Sequence, residues 1–573
     1  MSEPEAPDAS GDPGPDSPTA AVGASRRNSA LVASGILLSR LSGLVREKLL
    51  GFFLGSGIGV EAFRTALRIP NLMQNLLGEG VLSASFIPVY ARLLEEGREE
   101  EAGRVAGAVA GLLALVAGTL VVAGVVFARP ITSVIALGFP EGSQKFELTV
   151  TLVRIITPGI GFLVLSAWCL GVLNSHRKFF LSYVAPVLWN AAMITALVVF
   201  GVRGADADTT LPVALAWGTF VGGALQFAVQ LPAVIGVSRG LKPSLDVSRA
   251  GVKRVISAFG PVVTGRGVVQ LSAYLDTIIA SFLATGAIAA LGFAQTLYVL
   301  PVSLFGMSVA AAELPELSAM DHADRRSMRR RLDEGLARIV FFVAPTVVGF
   351  VLIGDLIVGL LYQGGEFGVR ATVQVWAVLA AYSLGLLAST SARLLQSALY
   401  GVGDPRTPAK LAAIRVVVSA ALGLLLMLQL DQFHVTSAQQ IEQIGELPSF
   451  TVASEGLRGA EENLFRLGAA GLALAAAVAA WLEYGLLLRA VRERFGSVRF
   501  LGLHLRRILM ATGVAAVVAF GVRVVLAGLS PWVAGPLGIA IVGGIYLLVA
   551  WRLDLPEVAA AARMLRDRLR GDP

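Results

Sequence analysis

Residues 39–90 read SRLSGLVREKLLGFFLGSGIGVEAFRTALRIPNLMQNLLGEGVLSASFIPVY. Apolar residues dominate, yet Arg40, Arg46, Glu47, Lys48, Glu61, Arg64, Arg68 and Glu79 are set among them. Glu61, Arg64 and Arg68 follow one another at spacings of three and four, which puts them on one face of a helix. Glu61 and Arg64 are thereby expected to pair. Pro70 and Asn71 are expected to break that helix, and Gly78-Glu79-Gly80 supplies a second flexible point. A broken helix beside a charged one is the arrangement with which transporters build sites in the bilayer. The stretch is net positive, and arginine matches phosphate oxygens bidentately while keeping its charge when buried. An anionic ligand is the expectation; a self-neutralising network is the competing one.

The rest of the chain agrees with a membrane setting. Of 573 residues, 55% are hydrophobic and 15% charged, where soluble domains carry roughly 25% charged residues. Mean hydropathy is +0.72. Fourteen apolar stretches of transmembrane length can be counted between residues 29 and 552, at about 20 residues per crossing. Continuous runs of this length exclude the alternating pattern of outer-membrane barrels. The fold class expected is therefore an all-α polytopic membrane protein with about 14 transmembrane helices. These are read as two six-helix lobes, a parallel pseudo-repeat around a central cavity, plus two extra helices.

Lys and Arg orient the spans. With the N-terminus cytoplasmic, 31 of the 47 basic residues fall in inside segments and six in outside segments. Both termini are then cytoplasmic. The ten left over lie within spans: Arg40, Arg46, Lys48, Arg64, Arg68, Arg154, Arg266, Arg393, Arg415 and Arg523. Each costs about 2.5–3.5 kcal/mol at mid-membrane on insertion scales. Lys48, Arg415 and Arg523 are near enough to a span end to snorkel. Arg40, Arg46 and Arg266 are not, and are expected to face a water-filled cavity. Asp276 stands alone in helix 7, either as a counter-charge or as a cation or proton site.

The expected divisions are a disordered cytoplasmic tail (1–28), a first lobe of helices 1–6 (29–240), a second lobe of helices 7–12 (250–492), helices 13–14 (500–553) and a basic cytoplasmic tail (554–573). A shift of 226–227 residues superposes Arg40 on Arg266, Pro88 on Pro315, and His176-Arg177-Lys178 on Gly403-Asp404-Pro405. The polar outer loop 431–463 reads either as an amphipathic surface helix or as a tolerated insertion. The single cysteine, Cys169, rules out an internal disulfide, and four scattered histidines give no metal-ligand spacing. No Walker A pattern and no acidic catalytic motif occurs, so neither an enzyme nor a resident cofactor is expected. The net charge of +7 is explained by its membrane asymmetry rather than by nucleic acid.

The ordered string SRLSGLVRE, EAFRTALRIPNL, GEGVLSASFIPVYARLLEE, GVLNSHRKFFLSYVAPVLWN, DTIIASFLATGAI, LLYQGGEFG and ALYGVGDPRTPAKLA resembles the MurJ (MviN) family of lipid II flippases. The resemblance implies the MOP-superfamily fold, with helices 13 and 14 forming a lipid-tail groove. It implies transfer of the undecaprenyl-diphosphate-linked disaccharide-peptide between leaflets of the inner membrane by alternating access, for cell wall synthesis. Arg40 and Arg46 match family arginines that grip the diphosphate; Glu47 and Glu61 stand where many members have Asp; Pro70, Asn71, Glu79 and Gly80 match the helix 2 motif. Two positions depart from it: Gln74/Asn75 and Thr296 occupy places where many members carry Arg. Arg266 is extra and, with Arg68, is the expected replacement. Lipid II, membrane lipids and the cell-wall synthesis machinery are the partners implied, with Na+, H+ or the membrane potential as driving force. The rival readings are a flippase for another polyprenyl-linked glycan, a multidrug exporter of the same superfamily, and a non-transporting cell-wall scaffold.

Overall fold

The computed structural model describes residues 18–307, 325–436, 440–443, 452, 465–496 and 503–558. Nearly everything described is helix. The face on which the described residues begin is the near face, and the opposite one the far face.

Helix α1 (Pro18–Leu54) crosses to the far face. Its start lies eleven residues before the expected 29, because Thr19-Ala20-Ala21-Val22 continues the helical run. The second span is α2 (Ile58–Leu77), α3 (Glu79–Ser85) and α4 (Ile87–Glu95). The expected break at Pro70-Asn71 does not occur; α2 runs through both. The chain breaks at Gly78, which is extended at ψ −150. A Cβ there would overlap the carbonyl of Gln74, so the break falls where only glycine fits, whereas proline merely removes one donor. There follow α5 (Glu99–Val126), α6 (Ala128–Ile135), α7 (Gln144–Ser175), α8 (Phe179–Val202) and α9 (Thr210–Val237).

The second unit repeats the first. It comprises α10 (Ala250–Ala280), α11 (Ala287–Pro301) with a π-helical turn Val302–Met307, α12 (Arg325–Leu352), α13 (Gly354–Tyr362), α14 (Val369–Ser383), α15 (Leu386–Gly401), α16 (Arg406–Leu430) and α17 (Gly468–Phe495). Helices α5 and α12 are both 28 residues long and start 226 residues apart, at 99 and 325. The turns after α7 and α15 share one hydrogen-bond pattern at the same offset. His176, Arg177 and Lys178 N–H donate to Val172, Asn174 and Leu173; Val402, Gly403 and Asp404 N–H donate to Ala398, Tyr400 and Leu399. The central residue of each turn has positive φ, +57 at Arg177 and +74 at Gly403.

After α16 the offset grows. Helix α9 starts at 210 and α17 at 468, a shift of 258. The loop 431–463 thus contains a 32-residue insertion, the difference of the two shifts. Its described part is not a helix: Phe433–Val435 (β1) pairs antiparallel with Ile441–Gln443 (β2). β-branched Val435, Thr436 and Ile441 favour that pairing. Arg466, counted from sequence as an outer-loop cation, is instead buried beneath the hairpin, 3.1 Å from Asp431. Residues 1–17, 559–573, Pro315 and most of 444–464 lie outside the described residues.

The chain ends in α18 (Leu503–Leu526) and α19 (Pro531–Arg552), which pack on each other, on α12 and on α13. Val517, Phe520 and Val525 on their outer surface are more than 60% exposed, as lipid-facing residues are. Ten described helices are long and apolar enough to span a membrane, and the bent pair α14–α15 makes eleven. The count of fourteen is not reached by that test. The helices that miss it, α1, α2 and α10, hold most of the interior charge noted above.

One connection is held unusually close. Residues 239–244 lie against Gly103, Gly107 and Gly111 of α5, where a Cβ would overlap the backbone of Arg239, Lys242 and Ser244. Ser244 N–H donates to the Gly107 carbonyl at 3.3 Å. Gly107→Val is expected to dislodge this strap and to cost about 1–3 kcal/mol, the usual range for overpacking. A thermal unfolding midpoint equal to wild type would contradict that packing.

Candidate functional site

Helix α1 brings Arg46 and Glu47 to the middle of the assembly, and α2 brings Arg64. The Glu47 carboxylate sits between the two guanidinium groups: Arg46 Nη2 donates to Oε1 at 2.8 Å and Arg64 Nη2 to Oε2 at 2.6 Å. Arg46 Nη1 also donates to Asn190 Oδ1 on α8 at 3.0 Å, and Asn190 Nδ2 returns to Ser42 Oγ on α1 at 2.9 Å. Aromatic faces cover both cations, with Arg46 5.3 Å from the Trp189 centroid and Arg64 4.3 Å from that of Phe293. The expected Glu61–Arg64 pair is therefore replaced by Glu47–Arg64. Two cations share one carboxylate, and the cluster stays positive.

A cavity of about 700 Å³ opens beside Arg46. Its polar lining includes Ser39, Gln74, Asn75, Ser166, Asn190 and Gln226. Gln74 and Asn75, which stand where many relatives carry arginine, thus do face the cavity. Asn71 is one turn earlier on the same face of α2, though it is not among the lining residues. Arg40 lies one turn from Gly43 and two from Glu47 on α1. Its side chain is exposed and makes no ion pair or hydrogen bond among the described residues. Asn190, Ser166 and Gln226 were not singled out from sequence. Their signal was available: each is an isolated polar side chain in an apolar span, and Gln226 donates to Ser166 at 2.9 Å.

Glu61, expected as a substrate contact, does not line this cavity. It is fully buried at the far face. One oxygen accepts from the backbone N–H of Gly286 and Ile288, at 2.8 Å each, where α11 starts. The other pairs with Lys145 at the start of α7. A carboxylate satisfies the orphan donors of a helix N-terminus, and this one ties the first unit to the second. Other far-face bonds act alongside it. Glu366 N–H donates to Phe52 O and Gly138 N–H to Ser281 Oγ, both at 2.9 Å.

Arg68 and Asp276 line a small void of about 20 Å³, together with Gln295 and Tyr382. Arg68 is the basic residue with which Asp276 shares this void. Thr296 donates its hydroxyl to Gly292 O within its own helix at 3.0 Å. The side chains of Glu79 and Arg266 lie outside the described residues.

The three basic residues expected to snorkel each have a partner on another helix. Lys48 donates to Leu360 O at 3.3 Å and stands 3.9 Å from the Trp532 centroid. Arg415 pairs with buried Glu483 at 3.0 Å. Arg523 pairs with Asp355 at 3.4 Å and covers Trp376.

This architecture is shared with solved transporters. A lipid II flippase MurJ in an inward closed conformation superposes with a TM-score of 0.70 at 21% identity, over 91% of this chain and 98% of that one. An inward-facing multidrug resistance MATE family transporter of the MOP superfamily superposes with a TM-score of 0.57 at 15% identity, over 81% and 99%. The fold is the polytopic helical one of these two structures. The family described as "Lipid II flippase MurJ" matches residues 52–453. The lipid II flippase MurJ of Burkholderia cenocepacia is 34% identical over 410 residues, which is 70% of this chain and 77% of that protein. A probable lipid II flippase MurJ of Rhizobium tropici is 34% identical over 415 residues, or 72% and 77%. The chain belongs to the MurJ lipid II flippase family, a family of transporters and not of enzymes.

Proposed function

We propose that this protein moves lipid II from the inner to the outer leaflet of the bacterial cytoplasmic membrane by alternating access, for cell wall synthesis. The observation that carries the reading is the positive Arg46–Glu47–Arg64 cluster beside a polar cavity, in a chain of this family. A diphosphate is the anion that a set of guanidinium groups fits best. Arg40 and Arg266 complete the grip on it, Arg266 standing in for the arginines absent at Gln74/Asn75 and Thr296. Asn71 and Glu79 border the same path.

In this reading the near face is cytoplasmic, both termini lie there, and α1, α2 and α10 also cross the bilayer to make fourteen passes. The groove between α18 and α19 carries the polyprenyl tail, membrane lipids surround it, and the cell-wall machinery takes the product. The membrane potential supplies the drive, at about 2.3 kcal/mol per charge per 100 mV, with a monovalent cation as the alternative source.

The test is complementation. A strain depleted of its own flippase regains growth when this chain is expressed, and loses it again with Arg46→Ala or Arg266→Ala at equal protein level. Failure of the wild-type chain to restore growth contradicts the function. Growth with Arg266→Ala removes that residue from the grip and leaves the rest.

A further inference from the structure

The second unit holds a cluster that the site above does not use. Arg393, on α15, has an exposed side chain and makes no hydrogen bond or ion pair among the described residues. Its electrostatic neighbours are Tyr298, Arg415 and Glu483, on α11, α16 and α17. Three surrounding helices place it inside the assembly rather than against lipid. Its stem passes Gly306 in the π-helical turn, where a Cβ would come 3.6 Å from Arg393 Cδ. Glu483 is engaged elsewhere: one oxygen accepts from Gln396 at 3.0 Å and the other from Arg415 at 3.0 Å. Tyr298 hydroxyl is engaged with Ser389 Oγ at 2.6 Å.

The internal repeat says what this place is. Moved back by 226 residues, Arg393 falls on Ala167, Arg415 on Trp189, Gln396 on Leu170, Ser389 on Leu163 and Gly306 on Gly80. All five of those residues line the first unit's cavity. The same surface of the second unit therefore carries two arginines against one carboxylate, and one arginine is uncompensated.

We propose that Arg393 is an anion-binding residue of the second lobe, one that takes an anionic oxygen group of the substrate opposite the Arg46–Glu47–Arg64 cluster. The shared chemistry is a planar fork meeting two oxygens, supplied either by the diphosphate or by a carboxylate of the peptide. This rests on the flippase reading. An unpaired arginine within a span is costly to keep, and a substrate oxygen offsets that cost during each cycle.

The test is binding by the purified full-length protein of two probes, lipid II and undecaprenyl diphosphate, with wild type, Arg393→Gln and Arg393→Lys. Arg393→Gln is expected to bind lipid II about tenfold or more weakly, as loss of a charged hydrogen bond requires, with partial recovery in Arg393→Lys. An equal loss for undecaprenyl diphosphate assigns the contact to the diphosphate; a loss for lipid II alone assigns it to the peptide. Wild-type affinity of Arg393→Gln for both probes overturns the inference and leaves the flippase reading intact. Absence of lipid II binding by the wild type overturns both. A thermal unfolding midpoint matching wild type separates lost contact from lost fold.

Discussion

Glu61→Gln is expected to loosen the far face. The carboxylate bridges the two units through two N–H donors and Lys145, with no exposure to water. Glutamine keeps the size but loses the charge. It leaves Lys145 facing a neutral group, and each charge-assisted bond that weakens is worth about 1.5–3 kcal/mol. Since 1.4 kcal/mol is tenfold in an equilibrium, the open population rises by about tenfold or more. Ala287→Cys places a small reporter in this interface, at a residue 3% exposed. The native Cys169 is buried, so background labelling is low. A membrane-impermeant maleimide applied to the far face should label the reporter at least about tenfold faster when Glu61→Gln is added. Equal labelling rates would show that Glu61 does not hold this face shut.

The second large effect is expected at Glu47. Its carboxylate separates two guanidinium groups at 2.8 and 2.6 Å. Glu47→Ala leaves both cations near each other, largely buried and uncompensated. Breaking a buried pair from one side costs about 3–5 kcal/mol, and here two pairs share the lost partner. Reduced thermal stability and failure to complement are expected together. Added diphosphate should restore part of the stability, because it supplies the missing negative charge where Arg46 and Arg64 point. Restoration by neutral detergent or sugar to the same degree would mean that the cluster does not recognise anions.

Sequence patterns reached some of this arrangement and not the rest, for definable reasons. Arg46 and Glu47 were visible because charge inside an apolar run has few explanations. The partner of Arg64 was misread because local spacing favours Glu61 at i−3, whereas the fold brings Glu47 from another helix. Glu61 binds residues more than 220 positions away, which no local pattern reveals. Arg415 and Arg523 looked like snorkelling residues because their partners, Glu483 and Asp355, belong to distant spans. The repeat was faint in sequence, and the 32-residue insertion before α17 threw its last helix out of register. Hydrogen bonds at the turns of Arg177 and Gly403 preserve it where side chains do not.

The account depends on transfer of lipid II between leaflets. The direct measurement is the fraction of labelled lipid II accessible from outside the cytoplasmic membrane in cells whose only flippase is this protein, before and after its depletion. Accessible lipid II should fall sharply on depletion while the total rises, return when the wild-type chain is expressed again, and stay low with Glu47→Ala. An accessible fraction that does not change on depletion would contradict the central claim.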